Sequence, residues 1–318
     1  MGKAIDKIKN IKIVKTLSNI GKIEDLRQRI LVTLMLVAVY RFGSYVVLPG
    51  IDTEALTGVQ NQTSTGLMSL LDMFSGGAFS KASIFALGIM PYISASIVMQ
   101  LLGIAVPYFQ KMQREGESGR RKMNQYTRYL TIFILLLQAP SYLLNLKWQN
   151  GGLNPMHESL DWTWFVVSST IILTAGSMFV LWLGERITDK GIGNGVSFII
   201  MIGIIARFPE AFMQELTSRM SSIGAAGGGL IMFLLEVVLL FLVTAGTIML
   251  VQGVRKIPVQ YAKRVEGGRQ YGGARQYIPL KVNAANVMPI IFAQAIMFIP
   301  VTIFGTAEQS GFALQLRN

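Results

Sequence analysis

The sequence predicts an all-α fold, a polytopic membrane protein, and three observations predict it. Of the 318 residues, 52% are hydrophobic and only 14% are charged, against about 25% charged in ordinary soluble chains. The apolar residues gather into windows near 27–48, 82–106, 127–146, 162–184, 194–208, 230–251 and 283–305, most of them about the twenty residues a helix needs to cross a bilayer. Seven spans are therefore expected, the fifth short. The third observation is charge segregation: all but six of the 29 lysines and arginines fall within 1–29, 105–128, 185–193 and 252–281. Basic residues are retained on the cytoplasmic side of short loops, so the N-terminus is expected inside. The net charge of +12 then faces the cytoplasm, where it suits anionic lipid or an acidic or RNA-rich partner.

The elements follow in order. Residues 1–25 are basic, with Ile5, Ile8, Val14, Leu17 and Ile20 at roughly helical spacing, which predicts an amphipathic helix lying at the cytoplasmic interface. A cleaved leader is not expected, because the first apolar run ends in Leu48-Pro49-Gly50 without a small-x-small site. The second span is the most informative. Its stretch 67–106 is long enough to anchor a protein but carries Gly76, Gly77, Ser80 and Lys81, then Pro91, Tyr92, Ser94 and Ser96. Backbone groups freed by such breaks find no partner in lipid, so the segment belongs against protein or a water-filled path.

The run 190–195, KGIGNG, has glycines like a phosphate loop but lacks the Lys-Ser/Thr that follows one, so a tight turn is expected before the fifth span. Glu236 lies two turns into the sixth span, where an ionisable residue needs a partner or a route to the interface. The loop 252–281, rich in glycine and basic residues, suits a protruding hairpin. The seventh span contains VMPIIFA, echoing IMPYISA of the second at Met, Pro, Ile and Ala. The two spans run in opposite directions, and paired broken helices of opposite direction point to an inverted repeat with a pathway at its interface.

Some chemistries are excluded or disfavoured. With no cysteine there is no disulfide, thiolate metal site or Cys nucleophile. His157 stands alone, so no metal site is expected, and no cofactor and no catalytic residues are expected either.

The strings MFSGGAFSKASIFALGIMPYISASI at 73–97, EGESGRRKMNQYTRY at 115–129, WLGERITDKGIGNGVS at 182–197, YAKR at 261–264 and IPLKVN at 278–283 closely resemble the SecY/Sec61 family, in its bacterial SecY branch. The resemblance runs through the whole chain in order. It implies a SecY-like inverted-repeat helical channel of the bacterial cytoplasmic (inner) membrane, truncated here after the seventh of the family's ten spans. It also implies the organisation: a cytoplasmic basic helix at 1–25, an N-terminal half at 26–208 with a plug at 67–78, and the start of a C-terminal half at 209–318 with its cytoplasmic loop 252–281.

The site residues that the resemblance implies fall into four sets. Ile89, Ile93, Val196, Ile200 and Ile291 correspond to an aliphatic pore ring. Those within one span are four apart and share a helix face, and a narrow apolar constriction dewets and blocks ions. Leu67, Phe74, Ser75, Gly76, Gly77 and Ala78 fall in the plug. Ser94, Gln100, Asn194 and Ile299 are candidates for a lateral gate to lipid. Arg114, Arg120, Arg121, Lys122, Arg255, Lys256, Lys263, Arg264, Arg269 and Arg275 would contact a ribosome or motor, although Gly268 stands where many relatives begin a basic pair. The implied partners are SecE and SecG subunits, the SecA motor ATPase or a ribosome, signal sequences and nascent chains, and membrane lipids. The alternative is a secondary transporter of small solutes, which would need a polar coupling site where this waist is aliphatic.

Overall fold

The computed structural model describes residues 23–51, 72, 75–149, 161–221, 229–259, 264–266, 269–271 and 276–283. The amphipathic segment before Ile23, the seventh span, His157, Leu67, Phe74, Lys263, Arg275, Ile291 and Ile299 lie outside them.

Helix α1, Glu24–Gly43, opens with Glu24 and Asp25 and closes near Arg41, each charge placed to complement the helix dipole. It buries Thr33, Val37, Tyr40 and Gly43, a three-to-four spacing that makes one face. The first expected span ends earlier than position 48: residues 46–48 run extended beside 82–84, with the Leu48 N–H donating to Ala82 O and the Ile84 N–H to Val46 O, both at 2.9 Å. The uncharged run of α1 is 30–40, and basic residues flank it at Arg29 and Arg41.

The expected second span is helical only in its later part. Residues 76–89 form successive turns, and helix α2, Met90–Ala105, begins with Pro91 in its first turn. The proline is therefore not a mid-helix break. It sits where a helix has no use for its missing N–H. At the far end Val106 is extended (φ −109°, ψ 120°) ahead of Pro107, as the residue before a proline tends to be. Helix α3, Pro107–Arg114, leaves at 98° to α2.

Four longer helices follow: α4, Glu117–Gln149; α5, Trp162–Lys190; α6, Gly195–Ser221; and α7, Gly229–Gln252. All four are long and apolar enough to cross a membrane, and the bent α2–α3 pair is a fifth candidate among the described residues. The loop after α7 is where the all-α expectation has its exception. Strands β1, Val254–Val259, and β4, Gln276–Lys281, pair antiparallel from Val254↔Lys281 to Val259↔Gln276. Between them β2, Arg264–Glu266, pairs with β3, Arg269–Tyr271.

The described residues form two compact units, one up to Pro209 and one from Glu210. In the first, two apolar clusters pack on the turn segment. Phe79, Ala86, Leu135, Leu143, Phe165 and Leu173 belong to one, and Val37, Tyr40, Phe85, Ile89, Val180 and Leu183 to the other. Helix α5 approaches this segment through Gly176, where any Cβ would run into the Ile84 carbonyl. In the second unit the Phe212 and Phe233 rings meet edge to face at 5.3 Å, and the apolar surface of α7 is exposed.

Candidate functional site

Asp72 and the described residues 75–89 form the least regular part of the first unit and are among its most buried. Glycines supply its turns: Gly76 and Gly77 have φ of +67° and +86°, backbone that other residues adopt only with strain. Their polar groups have no lipid or strand ladder to satisfy them, so each must be met by a specific partner.

Those partners come from within the loop and from three helices. Inside the loop, the Ser75 hydroxyl and the Gly77 N–H donate to Asp72 O at 3.1 and 2.9 Å, and the Phe79 N–H donates to Ser75 Oγ at 3.1 Å. The Asp72 carboxylate accepts the Ser80 N–H at 2.9 Å and pairs with Arg207 of α6. From α1, the Tyr40 hydroxyl donates to Ser75 O and Arg41 to Gly76 O, both at 3.4 Å. From α4, the buried Tyr142 donates to Phe79 O at 2.7 Å, its ring 4.7 Å from that of Phe79. Lys81 stacks over the Tyr45 ring at 4.1 Å.

The ring candidates lie at the end of this segment, on α2 and on α6. Ile89 is buried, and Ile93, Val196 and Ile200 are partly buried against the same cluster, so the structure brings together the four that it describes. The plug candidates Ser75, Gly76, Gly77 and Ala78 are all buried, and Ala78 is wholly so.

The gate candidates are not gathered in this way. Ser94 is half-buried on α2. Gln100 is exposed and donates to Ser96 one turn back at 3.4 Å. Asn194 is exposed at the start of α6. Its carbonyl accepts the Phe198 N–H at 3.0 Å and its Oδ1 the Ser197 N–H at 3.3 Å, which makes it a helix cap.

The basic candidates are exposed wherever their side chains are described. Arg114 ends α3, and Arg120, Arg121 and Lys122 lie in the first turns of α4, with Arg121 paired to Glu117 at 2.8 Å. Arg255 and Lys256 project from β1, and Arg264 and Arg269 lie on β2 and β3. The turn before α6 is as tight as expected: Gly193 has φ +69°, the Gly195 N–H donates to Thr188 Oγ1 at 2.8 Å, and the Ile192 N–H donates to Thr33 Oγ1 of α1 at 3.2 Å. Glu236 is paired, meeting Arg219 at 2.6 Å while the same guanidinium reaches Glu215 at 2.8 Å.

Sequence reasoning missed Asp72 and its partner Arg207. A signal was present: an acidic residue inside the apolar run LLDMF is a functional candidate by default. Among the described residues no group of His, Asp or Glu is placed to hold a metal ion.

A model of the SecY family matches residues 83–316. The protein translocase subunit SecY of Corynebacterium glutamicum is 43% identical over 88% of this chain and 62% of its own length. That of Halalkalibacterium halodurans is 43% identical over 92% and 66%, and that of Aquifex aeolicus 39% over 90% and 66%. The chain thus spans a little under two thirds of the length of these relatives. Among solved structures, a protein-conducting channel is similar with a TM-score of 0.53 at 17% identity, over 85% of this chain and 56% of that one. So is a SecY channel studied for its plug domain, with the same values. Sec61 from a canine ribosome-channel complex gives 0.51 at 17%, again over 85% and 56%.

Proposed function

This chain belongs to the SecY family, and from that membership we propose that it is the central, pore-forming subunit of a protein-translocation channel. In this reading it passes unfolded secretory proteins across the bacterial cytoplasmic membrane and releases membrane proteins sideways into lipid. The observation that carries the reading is the seat of the glycine turn. A segment too broken to face lipid is buried among helices, beside an apolar cluster that includes Ile89 and has Ile93, Val196 and Ile200 packed against it.

The chemistry required is modest. Branched aliphatic side chains seal on one another at rest and reseal around an extended chain, while dewetting stops ions. Residues 67–78 act as the plug, and Ile291 completes the ring. Ser94, Gln100, Asn194 and Ile299 belong to the lateral gate, Asn194 also capping the start of α6. The chain is a passive conduit and not an enzyme, so the driving energy comes from a SecA-type motor or a ribosome. These dock on Arg114, Arg120, Arg121, Lys122 and the basic ribbon of Arg255, Lys256, Lys263, Arg264, Arg269 and Arg275. SecE and SecG are the companion subunits, and the N-terminus is cytoplasmic. Residues 26–208 and 209–318 belong to the two halves of the channel.

The identity to named translocase subunits supports this reading over a small-solute transporter. Reconstitution tests it. Vesicles holding the full assembly and an energised motor should shield a signal-bearing precursor from added protease, and vesicles prepared without this chain should not. Equal protection in both overturns the proposal.

A further inference from the structure

The buried carboxylate of Asp72 is unusual in its setting. Its side chain is 3% exposed whereas its partner Arg207 is 46% exposed, so the protein encloses the anion of the pair but not the cation. The carboxylate also accepts the Ser80 N–H, tying Asp72 to the turn at 76–80. The loop and α6 make a second close approach, because a Cβ on Gly76 would lie 3.0 Å from the Gly203 backbone. Gly203 and Arg207 are four residues apart and so lie on one face of α6.

The structure assigns Asp72 and Arg207 as a charge latch that makes the seating of the plug segment depend on the position of α6. The assignment rests on the channel reading above. While Arg207 is in place, the loop is held. When α6 moves, Arg207 moves with it, and the carboxylate is left buried without a counter-charge. That state is strongly unfavourable, so the loop leaves its seat. Asp72 therefore acts as a positioning residue that converts a helix displacement into release of the plug, and it needs no contact with the translocating chain.

The two roles of the carboxylate separate by mutation. Asp72→Asn keeps an oxygen for the Ser80 N–H but removes the charge. Arg207→Gln leaves the charge and removes its partner. The test uses the complete assembly in vesicles with Ser80→Cys as the sole thiol of this otherwise cysteine-free chain, labelled by a membrane-impermeant maleimide. Arg207→Gln should raise the labelling rate about tenfold or more, since an uncompensated buried charge is worth several kcal/mol. Adding Asp72→Asn to Arg207→Gln should bring labelling back near the parent rate, because no unpaired charge then remains buried.

The latch is overturned if Arg207→Gln labels no faster than its parent, or if the double variant labels as fast as Arg207→Gln alone. Precursor uptake by the parent vesicles is measured in parallel. Uptake with the wrong labelling pattern rejects only the latch, and the right pattern without uptake rejects only the channel reading.

Discussion

At Gly76 the backbone adopts φ +67°, and a Cβ would lie 2.7 Å from Arg41 Nη1 and 3.0 Å from the backbone of Gly203. Two penalties therefore coincide, left-handed strain and overpacking. Gly76→Val should destabilise the first unit by about 2–4 kcal/mol, read as a lower midpoint of thermal unfolding in detergent, whereas the same change at the open Gly193 turn should cost less. Individual residues were unevenly legible in the sequence. Ile89, Ile93, Val196 and Ile200, which share one apolar cluster, were singled out by resemblance to a family motif, because an Ile or Val in an apolar helix is otherwise indistinguishable from ordinary packing. The cap made by Asn194 was not legible, because a polar residue beside an apolar run looks the same whether it faces a gate or starts a helix. Asp72 passed unnoticed because its partner is Arg207, 135 positions away.

At the scale of elements, the long helices were legible because about twenty apolar residues in a row have few other uses. The start of α2 was not, since Pro91 is compatible with a kink or with a first helical turn, and only the turns at 76–89 decide between them. Those turns are held by Tyr40, Arg41 and Tyr142 from other helices, a dependence that no local pattern records. The ribbon β1–β4 carries the prediction for docking. Reversing Lys263, Arg264 and Arg269 to Glu should lower affinity for empty ribosomes and flatten its salt dependence, because exposed charge contacts are screened within a Debye length. Sedimentation binding at two ionic strengths checks this, and unchanged affinity would leave the ribbon only a topology signal.

For the whole molecule, two predictions concern the complete channel. Cysteines at Ser94 and Ile299 should crosslink at rest and halt translocation when joined; export continuing at its normal rate after crosslinking would mean that these spans do not part for substrate. Ile93→Asn with Ile291→Asn should raise resting ion conductance in planar bilayers, because polar side chains let water persist in the constriction, and a channel as tight as the parent would move the seal to the plug alone. A last consequence comes from α1. Its Thr33 receives the turn ahead of α6, and its Tyr40 and Arg41 hold the glycine loop, about 12 Å further along at 1.5 Å per residue. A helix cannot shorten between two attachments without breaking its own ladder, so the rod gears them together. Tilting α1 to slacken one grip shifts the other, and a push on the turn is felt at the loop as leverage.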